Sequence, residues 1–413
     1  MDRVILHADI NNCYASIECL HRPELRDKPV VVGGDVEARH GIVLAKNYIA
    51  KRYDIKTGEA LWQARQKCRD IVVVPPNFPL YLRFSKLAKE IYRDYSSQFE
   101  SFGIDEGWLD ITGSIGLLGS GEEIAEKIRQ RIKLELGITV SIGVSFNKIF
   151  AKLGSDMKKP DAITVITKEN FKEKVWPLPV GDLLYVGRAT QKKLDGYGIS
   201  TIGKLATAPE DFLLRRFGKW GGILYNFANG RDTSPVCEYG DESPIKSIGN
   251  STTTPRDLVN EEDAKIVMYV LSESVAARMR EQGFKCKTVA INIRDNQLNW
   301  YQKQGKVTSP TDLACEIQDK AMALFKEGYQ WQNPIRSIGV RGTDFVGNES
   351  NIQLLLYSDE NKREQHKKLE QTIDRLRGRF GVYAIQRGVM LTDPMLSGFN
   401  PKDDHVIHPT GYF

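Results

Sequence analysis

Strand-like and helix-like hydrophobic patterns alternate along the first 166 residues, and this alternation limits the fold more than any other feature of the sequence. Short apolar runs rich in β-branched residues occur at 3–10, 30–34 and 71–75. Helical spacing of apolar residues covers 80–99 and recurs over 122–136. Because such a chain buries both patterns only by packing helices against a sheet, we predict a mixed α/β domain that ends near residue 166.

The acids of SFGIDEGWLD (residues 101–110) stand among residues that otherwise resemble core. Asp9 ends the first apolar run, and Asp105 and Glu106 interrupt a later strand or hairpin. If these strands are neighbours, three carboxylates meet and require raised pKa values or neutralising cations. Oxygen-only ligands favour hard cations such as Mg²⁺. The alternative is a solvated hairpin tip, and Asp110 is expected to have a structural role.

Glycines separate short helical patterns between residues 178 and 206, in the sequence LPVGDLLYVGRATQKKLDGYGISTIGKLA. A helix–hairpin–helix unit of this kind exposes backbone N–H groups that suit the phosphates of a duplex. We therefore predict nucleic-acid contacts at Gly187 and Gly198. An ordinary helical hairpin with glycine C-caps is the alternative.

Residues 245–345 show the order strand, helix, two strands, helix, strand, which is a β-α-β-β-α-β unit. Its strand pieces carry eight bases and two acids, whereas its helical pieces carry more acids than bases. A sheet with one helix-covered face and one open basic face suits a phosphate backbone, and a solvated sheet face is the alternative. The predicted DNA contacts in this unit are Lys246, Lys287, Arg294, Lys303, Lys306, Arg336 and Arg341.

Composition and the N-terminus exclude several classes of protein. The 413 residues carry a net charge of +5 and are 41% hydrophobic, and no run of eighteen uncharged apolar residues predicts a membrane helix. The opening MDRVILHADI is too short and too interrupted for a signal peptide, so we expect a cytoplasmic protein. Six cysteines without CxxC pairs argue against a disulfide framework and a structural zinc site.

Three segments together resemble the signatures of Y-family translesion DNA polymerases, in the DNA polymerase IV and UmuC-like branch. They are HADINNCYASIE (7–18), SFGIDEGWLDITGS (101–114) and GVSFNKIFAKLGSDMKKPDAI (143–163). The resemblance implies an α+β multidomain fold, a right-hand polymerase with a ferredoxin-like palm, small fingers, a helix–hairpin–helix thumb and a β-α-β-β-α-β little finger. The implied domains are the palm (1–11 and 78–166), fingers (12–77), thumb (167–240), little finger (245–345) and a tail (346–413) with a helix at about 360–381.

The resemblance also implies roles for individual residues. Asp9, Asp105 and Glu106 would hold two Mg²⁺ ions, with the backbone carbonyl of Ile10 as a further ligand, and Tyr14 matches the steric gate beneath the incoming sugar. The implied nucleotide contacts are Tyr48, Lys51, Arg52 and Lys159 at the triphosphate and Ile42 and Leu44 above the nascent base pair. The sequence departs from the family pattern at Gly103, Ala45 and Lys51, where Ser, Thr and Arg are common, and a lysine lacks the bidentate fork of arginine.

The predicted function is template-directed addition of dNTPs to a primer 3′ end by two-metal phosphoryl transfer, with low fidelity and lesion bypass. The expected partners of this monomer are primer-template DNA, a dNTP and the bacterial sliding clamp. The clamp prediction rests on 352–357 (IQLLLY), where Gln353, Leu354, Leu356 and Tyr357 resemble a clamp-binding peptide; a buried strand is the alternative. The other function classes are a palm-type nucleotide cyclase and a catalytically inactive DNA-binding accessory protein.

Overall fold

The computed structural model of the protein describes residues 3–34, 41–241, 244–347 and 360–402. The chain forms two compact units. Residues 3–34 and 42–241 belong to the first unit, and residues 244–347 and 360–402 belong to the second.

The first unit contains two sheets and a helical region. Its described strands are β1 (Ile5–Ile10), β2 (Val30–Gly33), β3 (Val43–Lys46), β4 (Val72–Val74), β5 (Phe99–Ser101), β6 (Glu106–Asp110), β7 (Val140–Ser145) and β8 (Ile163–Ile166). Its described α-helices are α1 (Cys13–His21), α2 (Tyr48–Lys51), α3 (Leu61–Lys67), α4 (Phe78–Arg93), α5 (Ile115–Leu118), α6 (Gly121–Arg131), α7 (Lys148–Met157), α8 (Phe171–Val175), α9 (Arg188–Gly196), α10 (Ile202–Thr207), α11 (Glu210–Phe217) and α12 (Lys219–Ala228). Short 3₁₀ turns lie at Pro23–Leu25 and Val180–Asp182, and a π-helical turn at Ile132–Leu136 continues α6.

The larger sheet has the strand order β5-β6-β1-β7-β8. β1 is central and buried along its whole length, including its polar residues His7 and Asp9. It pairs antiparallel with β6 and with β7, and this register sets Asp9 opposite Glu106 on one side and Ser141 on the other. The end of β1 therefore meets the start of β6.

Helices α4 and α6 cover one face of this sheet. The isoleucines at 124, 128 and 132 are fully buried there, as their four-residue spacing predicts. The side chains of Asn77 and Ser120 cap the two helices by accepting bonds from backbone N–H groups. The helical spacing over 80–99 predicts a helix that is too long at its C-terminal end. Helix α4 ends at Arg93, and Phe99 reaches the same core from β5.

The smaller sheet has the order β3-β2-β4, with β2 and β4 parallel. Val31, Val43 and Ala50 pack there with Leu61 and Ala64 of α3 in a separate core cluster. This cluster lies between the sequence segments that form the larger sheet. It corresponds to the insertion that the resemblance assigns to the fingers.

The helical region after β8 packs in an apolar core that Leu194, Ile202 and Leu224 share with Phe150 and Leu153 of α7. Gly187 precedes α9, and Gly198 follows it with a φ of 76°. A side chain at position 198 would be strained in this left-handed backbone. The glycine-bounded helix that the sequence predicts is therefore α9.

The second unit contains a four-stranded antiparallel sheet of order β11-β10-β12-β9. Its described strands are β9 (Ser247–Leu258), β10 (Phe284–Asp295), β11 (Trp300–Thr311) and β12 (Ile335–Gly347). Its described α-helices are α13 (Glu261–Glu281), α14 (Ala314–Gly328), α15 (Glu360–Phe380) and α16 (Pro394–Ser397), with 3₁₀ turns at Val382–Ala384 and Gly388–Thr392. The predicted β-α-β-β-α-β order is confirmed, and α13 and α14 pack on one face of the sheet.

Helix α15 contacts the rest of the second unit through charged side chains. Arg280 of α13 pairs with Glu370 and Asp374, at 2.7 Å each, and the Glu370 carboxylate accepts from the backbone N–H of Ala314, the first residue of α14. Leu369, in the apolar pattern that predicts the helix at about 360–381, is 56% exposed. Ion pairs and a capping carboxylate thus hold α15.

Among the residues that the structure describes, no helix combines the length and the apolar character that crossing a bilayer requires.

Candidate active site

Three carboxylates meet where β1 and β6 adjoin. Asp9 lies next to the end of β1 and opposite Glu106, and Asp105 precedes β6, where its backbone carbonyl accepts a 2.9 Å hydrogen bond from the N–H of Ile10. The β5–β6 hairpin carries Asp105 and Glu106 to this position. The structure therefore brings together the acids that the sequence singles out. Asp105 and Glu106 are not a solvated hairpin tip, because Asp105 is half-buried and only 19% of the Glu106 side chain is exposed.

The electrostatics of this cluster are those of crowded, partly dry carboxylates. Burial, with a further contribution from Asp9, raises the pKa of Asp105 to about 6. Burial also raises the pKa of Glu106 to about 7, although the Lys152 ammonium opposes that shift. Negative charge here is costly, so a bound cation would be stabilised.

Two lysines after β7 neutralise much of this charge. The Lys152 ammonium lies 3.1 Å from Asp9, 2.5 Å from Glu106 and 3.1 Å from Asp156. The Lys159 ammonium lies 2.8 Å from the other Asp9 oxygen and 2.9 Å from the other Asp156 oxygen. Burial disfavours both charged lysines, but the carboxylates outweigh it and raise the pKa of each.

Lys159 is among the residues predicted from the sequence, whereas Lys152 and Asp156 are not. Both missed residues lie on α7, which begins after the capping residue Asn147 and packs against β1 and β7. Lys152 and Asp156 are four residues apart, and Lys159 follows three residues later. This spacing in the sequence could have indicated that the three side chains lie on one side of α7.

His7 lies one strand period before Asp9 and is fully buried. Its Nδ1 is 2.8 Å from the Ser155 hydroxyl, and its Nε2 is 3.5 Å from Glu106. Burial, aided by Lys152 and Lys159, holds the pKa of His7 well below its usual value. A neutral imidazole therefore lies beside Glu106 and adds no positive charge.

The donor set fits a hard divalent cation. Asp9, Asp105 and Glu106 offer only oxygen atoms, and the carbonyl of Ile10 belongs to the same strand end. Among the residues with a described position, no three acidic, histidine or cysteine side chains are arranged around a common metal position. The ammonium groups of Lys152 and Lys159 lie against oxygens of Asp9 and Glu106 that a metal would use.

Tyr14 lies near the start of α1 as a half-buried ring. It stacks on Tyr81 of α4, with ring centroids 4.4 Å apart and an interplanar angle of 9°, and Phe78 meets it edge-on. The Tyr81 hydroxyl donates a 2.7 Å hydrogen bond to the buried Glu18. The Tyr14 ring is therefore held against the flat face of Tyr81, a contact that was not predicted from the sequence.

The remaining predicted nucleotide contacts lie on the small sheet and α2. Burial raises the pKa of Tyr48, and Lys159 and Asp9 both act on it electrostatically, so its hydroxyl lies within the field of the carboxylate cluster. Lys51 lies 5.7 Å from the Tyr48 ring centroid, and both Lys51 and Arg52 are exposed. In the same part of the unit, Ile42 is 43% exposed and Leu44 is half-buried in β3.

Strand register defines the open face of the sheet in the second unit. Arg294 pairs with Trp300, Arg341 with Ala290, and Lys306 with Thr288, all on the side that faces away from α13 and α14. We call Arg294, Trp300, Lys306 and Arg341 the open face. The Arg294 guanidinium lies 5.2 Å from the ring centroid of Trp300, which is 62% exposed.

The expectation that Lys303 shares this face is wrong. Its ammonium pairs with Glu327 of α14 at 3.1 Å, because the two-residue period of β11 turns it towards the helices. Lys287 and Arg336 lie at register shifts in β10 and β12, and Lys246 precedes β9. Register therefore does not assign these three to the open face.

Two further predictions concern the glycines beside α9 and the segment at 352–357. A side chain added at Gly187 would meet no atom within 4 Å, and the same is true of Gly198, so both backbones are open to a ligand. The clamp-peptide prediction at Gln353, Leu354, Leu356 and Tyr357 lies outside the described residues.

Comparisons with known proteins agree with this geometry. The impB/mucB/samB family matches residues 8–156, its C-terminal domain matches 245–356, and the HHH motif of the IMS family matches 168–199. A DNA polymerase IV of Acetivibrio thermocellus is 54% identical over 393 residues, which cover 95% of this chain and 98% of that protein. DNA polymerase IV 1 of Bacillus subtilis is 36% identical over 392 residues, covering 94% and 93%. A solved chimeric Y-family DNA polymerase superposes with a TM-score of 0.74 at 23% identity and covers 84% of this chain and all of that one, which shows a shared fold.

Proposed function

Because this chain belongs to the impB/mucB/samB family of Y-family translesion DNA polymerases, we propose that Asp9, Asp105 and Glu106 are the catalytic acids of a template-directed DNA polymerase. Membership of the family implies dependence on a divalent metal. The observation that carries the proposal is the register that sets Asp9 opposite Glu106, with Asp105 hydrogen-bonded to the same strand end. The substrates are primer-template DNA and a dNTP.

The three carboxylates and the Ile10 carbonyl would hold two Mg²⁺ ions. When bound, these ions supply the activation of the primer hydroxyl and the charge stabilisation that phosphoryl transfer requires. Tyr48 and Lys159 bind the triphosphate in this proposal, and the electrostatic proximity of the two residues supports it. Lys51 and Arg52 are exposed cations on the same element and extend that binding site.

Sugar and base contacts come from two places in the first unit, α1 and the segment at the start of β3. Tyr14 of α1 bounds the sugar position and excludes a ribose 2′-hydroxyl, and its stacking on Tyr81 supports this role by holding the ring flat. Ile42 and Leu44 cover the nascent base pair. The small sheet carries only short strands and helices, so it encloses little of the base pair, and this is consistent with low fidelity and lesion bypass.

The second unit binds duplex DNA through the open face, and the thumb binds it through Gly187 and Gly198. Arg294, Lys306 and Arg341 are exposed or half-buried cations on a surface whose other register positions are polar or small. Such a surface follows the phosphate backbone without reading sequence. Lys246, Lys287 and Arg336 extend it at strand ends and bulges.

A salt titration tests this surface. We expect Arg341→Ala and Lys306→Ala each to reduce the slope of log affinity against log salt by about one, since each residue neutralises one phosphate. Lys303→Ala is the matched control, because Lys303 pairs with Glu327 on the helix-covered side and should leave the slope unchanged. If Lys303→Ala flattens the slope as much as Arg341→Ala, the assignment of faces is wrong.

The segment at 352–357 binds the sliding clamp in this proposal, with Gln353 and Leu354 at its start and Leu356 and Tyr357 as the apolar plug. The sequence supports this, because the apolar run lies between polar, turn-prone residues that connect β12 to α15. Tethering to a clamp makes rebinding of the primer effectively intramolecular.

Clamp binding has a separate test. Replacing Gln353, Leu356 and Tyr357 with Ala should reduce clamp-stimulated long products by a factor on the order of 100, while short products formed without the clamp persist. Primer extension with and without a loaded clamp measures both. Loss of the short products as well would show that the segment is structural.

In this proposal the chain acts in the cytoplasm. It acts as a monomer, since all the proposed catalytic side chains come from one unit of one chain.

Two alternative functions can be tested in a single assay. A nucleotide cyclase would release pyrophosphate from a nucleoside triphosphate without any DNA, and an inactive accessory protein would bind primer-template and extend nothing. The polymerase proposal requires extension that depends on template, primer and metal together.

A further inference from the structure

The lysine contacts of the catalytic acids have a consequence for metal loading. Each oxygen of Asp9 has an ammonium group as its neighbour, Lys152 on one and Lys159 on the other, and Lys152 also contacts Glu106. Lys152 is largely buried, with 15% of its side chain exposed. A cation that approaches these oxygens must therefore displace an ammonium group that already contacts them.

Asp156 offers the displaced lysines another partner. Its two oxygens lie 3.1 Å from Lys152 and 2.9 Å from Lys159, and its side chain is 47% exposed. Lys152 and Asp156 are four residues apart on α7, so they share one face of that helix. Lys152 can therefore leave Asp9 and Glu106 and keep an ion pair.

We propose that Lys152 is a built-in counter-cation that competes with the divalent metal for Asp9 and Glu106, and that Asp156 is the positioning residue that retains Lys152 when the metal binds. The inference rests on the proposed metal assignment of Asp9, Asp105 and Glu106. It means that metal affinity is lower than the acids alone would give.

Direct binding of Mn²⁺ to the full chain, without DNA or nucleotide, tests the inference. Mn²⁺ is a hard cation that accepts the same oxygen ligands. We expect Lys152→Met to tighten Mn²⁺ binding by at least about fivefold, because one competing contact is lost. Asp156→Asn should weaken it, because the lysines then pair more strongly with Asp9 and Glu106. Equilibrium dialysis measures both changes.

Two controls separate this inference from the metal assignment. Lys148→Met removes another largely buried lysine of α7, one that pairs with Glu100 at 2.6 Å, and should leave Mn²⁺ affinity unchanged. Asp105→Asn removes a proposed metal ligand. Among the described ion pairs, neither Lys152 nor Lys159 pairs with Asp105, so this variant should weaken Mn²⁺ binding strongly.

The outcomes are distinguishable. If Asp105→Asn leaves Mn²⁺ binding intact, the metal assignment is wrong and the inference falls with it. If Asp105→Asn weakens Mn²⁺ binding but Lys152→Met leaves it unchanged or weaker, only the counter-cation role is overturned. That role is also overturned if Lys148→Met tightens Mn²⁺ binding as much as Lys152→Met does. Should Lys152→Met fail to fold, Lys152→Gln, which keeps a hydrogen-bond donor beside the carboxylates, carries the same expectation.

Discussion

Asp105→Ala is expected to abolish primer extension while primer-template binding stays close to that of the unaltered protein. Asp105 is a proposed metal ligand, and the metal acts on the transition state, whereas the proposed DNA contacts are cations elsewhere in the chain. We expect the extension rate to fall by at least about 1,000-fold, a loss on the order of 4 kcal/mol of transition-state stabilisation. Single-nucleotide extension under saturating DNA measures the rate, and a parallel binding titration measures affinity.

Asp110→Asn is the matched control for this variant. Asp110 lies in the same strand as Glu106, but its carboxylate accepts from the backbone N–H and the hydroxyl of Thr112 and lies 3.5 Å from Arg3. These contacts are structural, so the folded variant should extend primers at a rate close to that of the unaltered protein. Equal losses in Asp105→Ala and Asp110→Asn would mean that acids of this segment serve folding, and the metal assignment would fail.

Tyr14→Ala is expected to reduce discrimination against ribonucleotides by about 10- to 200-fold, or ~1–3 kcal/mol, the usual range for one group in a pocket. The ring stacked on Tyr81 cannot move away from a 2′-hydroxyl, and its removal opens that space. The measurement is the ratio of kcat/KM for a dNTP to that for the matching rNTP. Because both values come from the same variant, a general loss of stability cancels.

Two variants frame the result for Tyr14. Tyr14→Phe keeps the flat ring and should preserve the ratio, because discrimination depends on shape and not on the hydroxyl. Tyr48→Phe should lower kcat/KM for both nucleotides equally, since the triphosphate is common to them. If Tyr14→Ala leaves the ratio of dNTP to rNTP kcat/KM unchanged, Tyr14 is an ordinary core residue and not a steric gate.

The sequence predicts those parts of the fold and the site that depend on local pattern. Strand β1 is buried along its whole length and is apolar except at His7 and Asp9, and the buried face of α6 follows from the spacing of its isoleucines. The acids at 9, 105 and 106 stand out because each interrupts an apolar stretch. Where one residue breaks a local pattern, the sequence alone is informative.

The sequence fails where the outcome depends on packing between distant elements. A lysine on a strand is equally compatible with either face, and only the register of β11 against β10 turns Lys303 towards α14. Lys152 resembles any cation of an amphipathic helix until α7 packs over the strand end that carries Asp9. The end of α4 at Arg93 is another such case, since Phe99 keeps the helical spacing but belongs to a strand.

The central claim is that Asp9, Asp105 and Glu106 serve templated DNA synthesis. Primer extension on matched undamaged and abasic templates, with each dNTP supplied alone and with Mg²⁺ present or chelated, tests it most directly. The account predicts that on the undamaged template the complementary dNTP is added fastest, that the primer is also extended opposite the abasic position, and that chelation stops both reactions. Primer that is not extended with Mg²⁺ present, or nucleotide addition that ignores the template base on undamaged DNA, would contradict it.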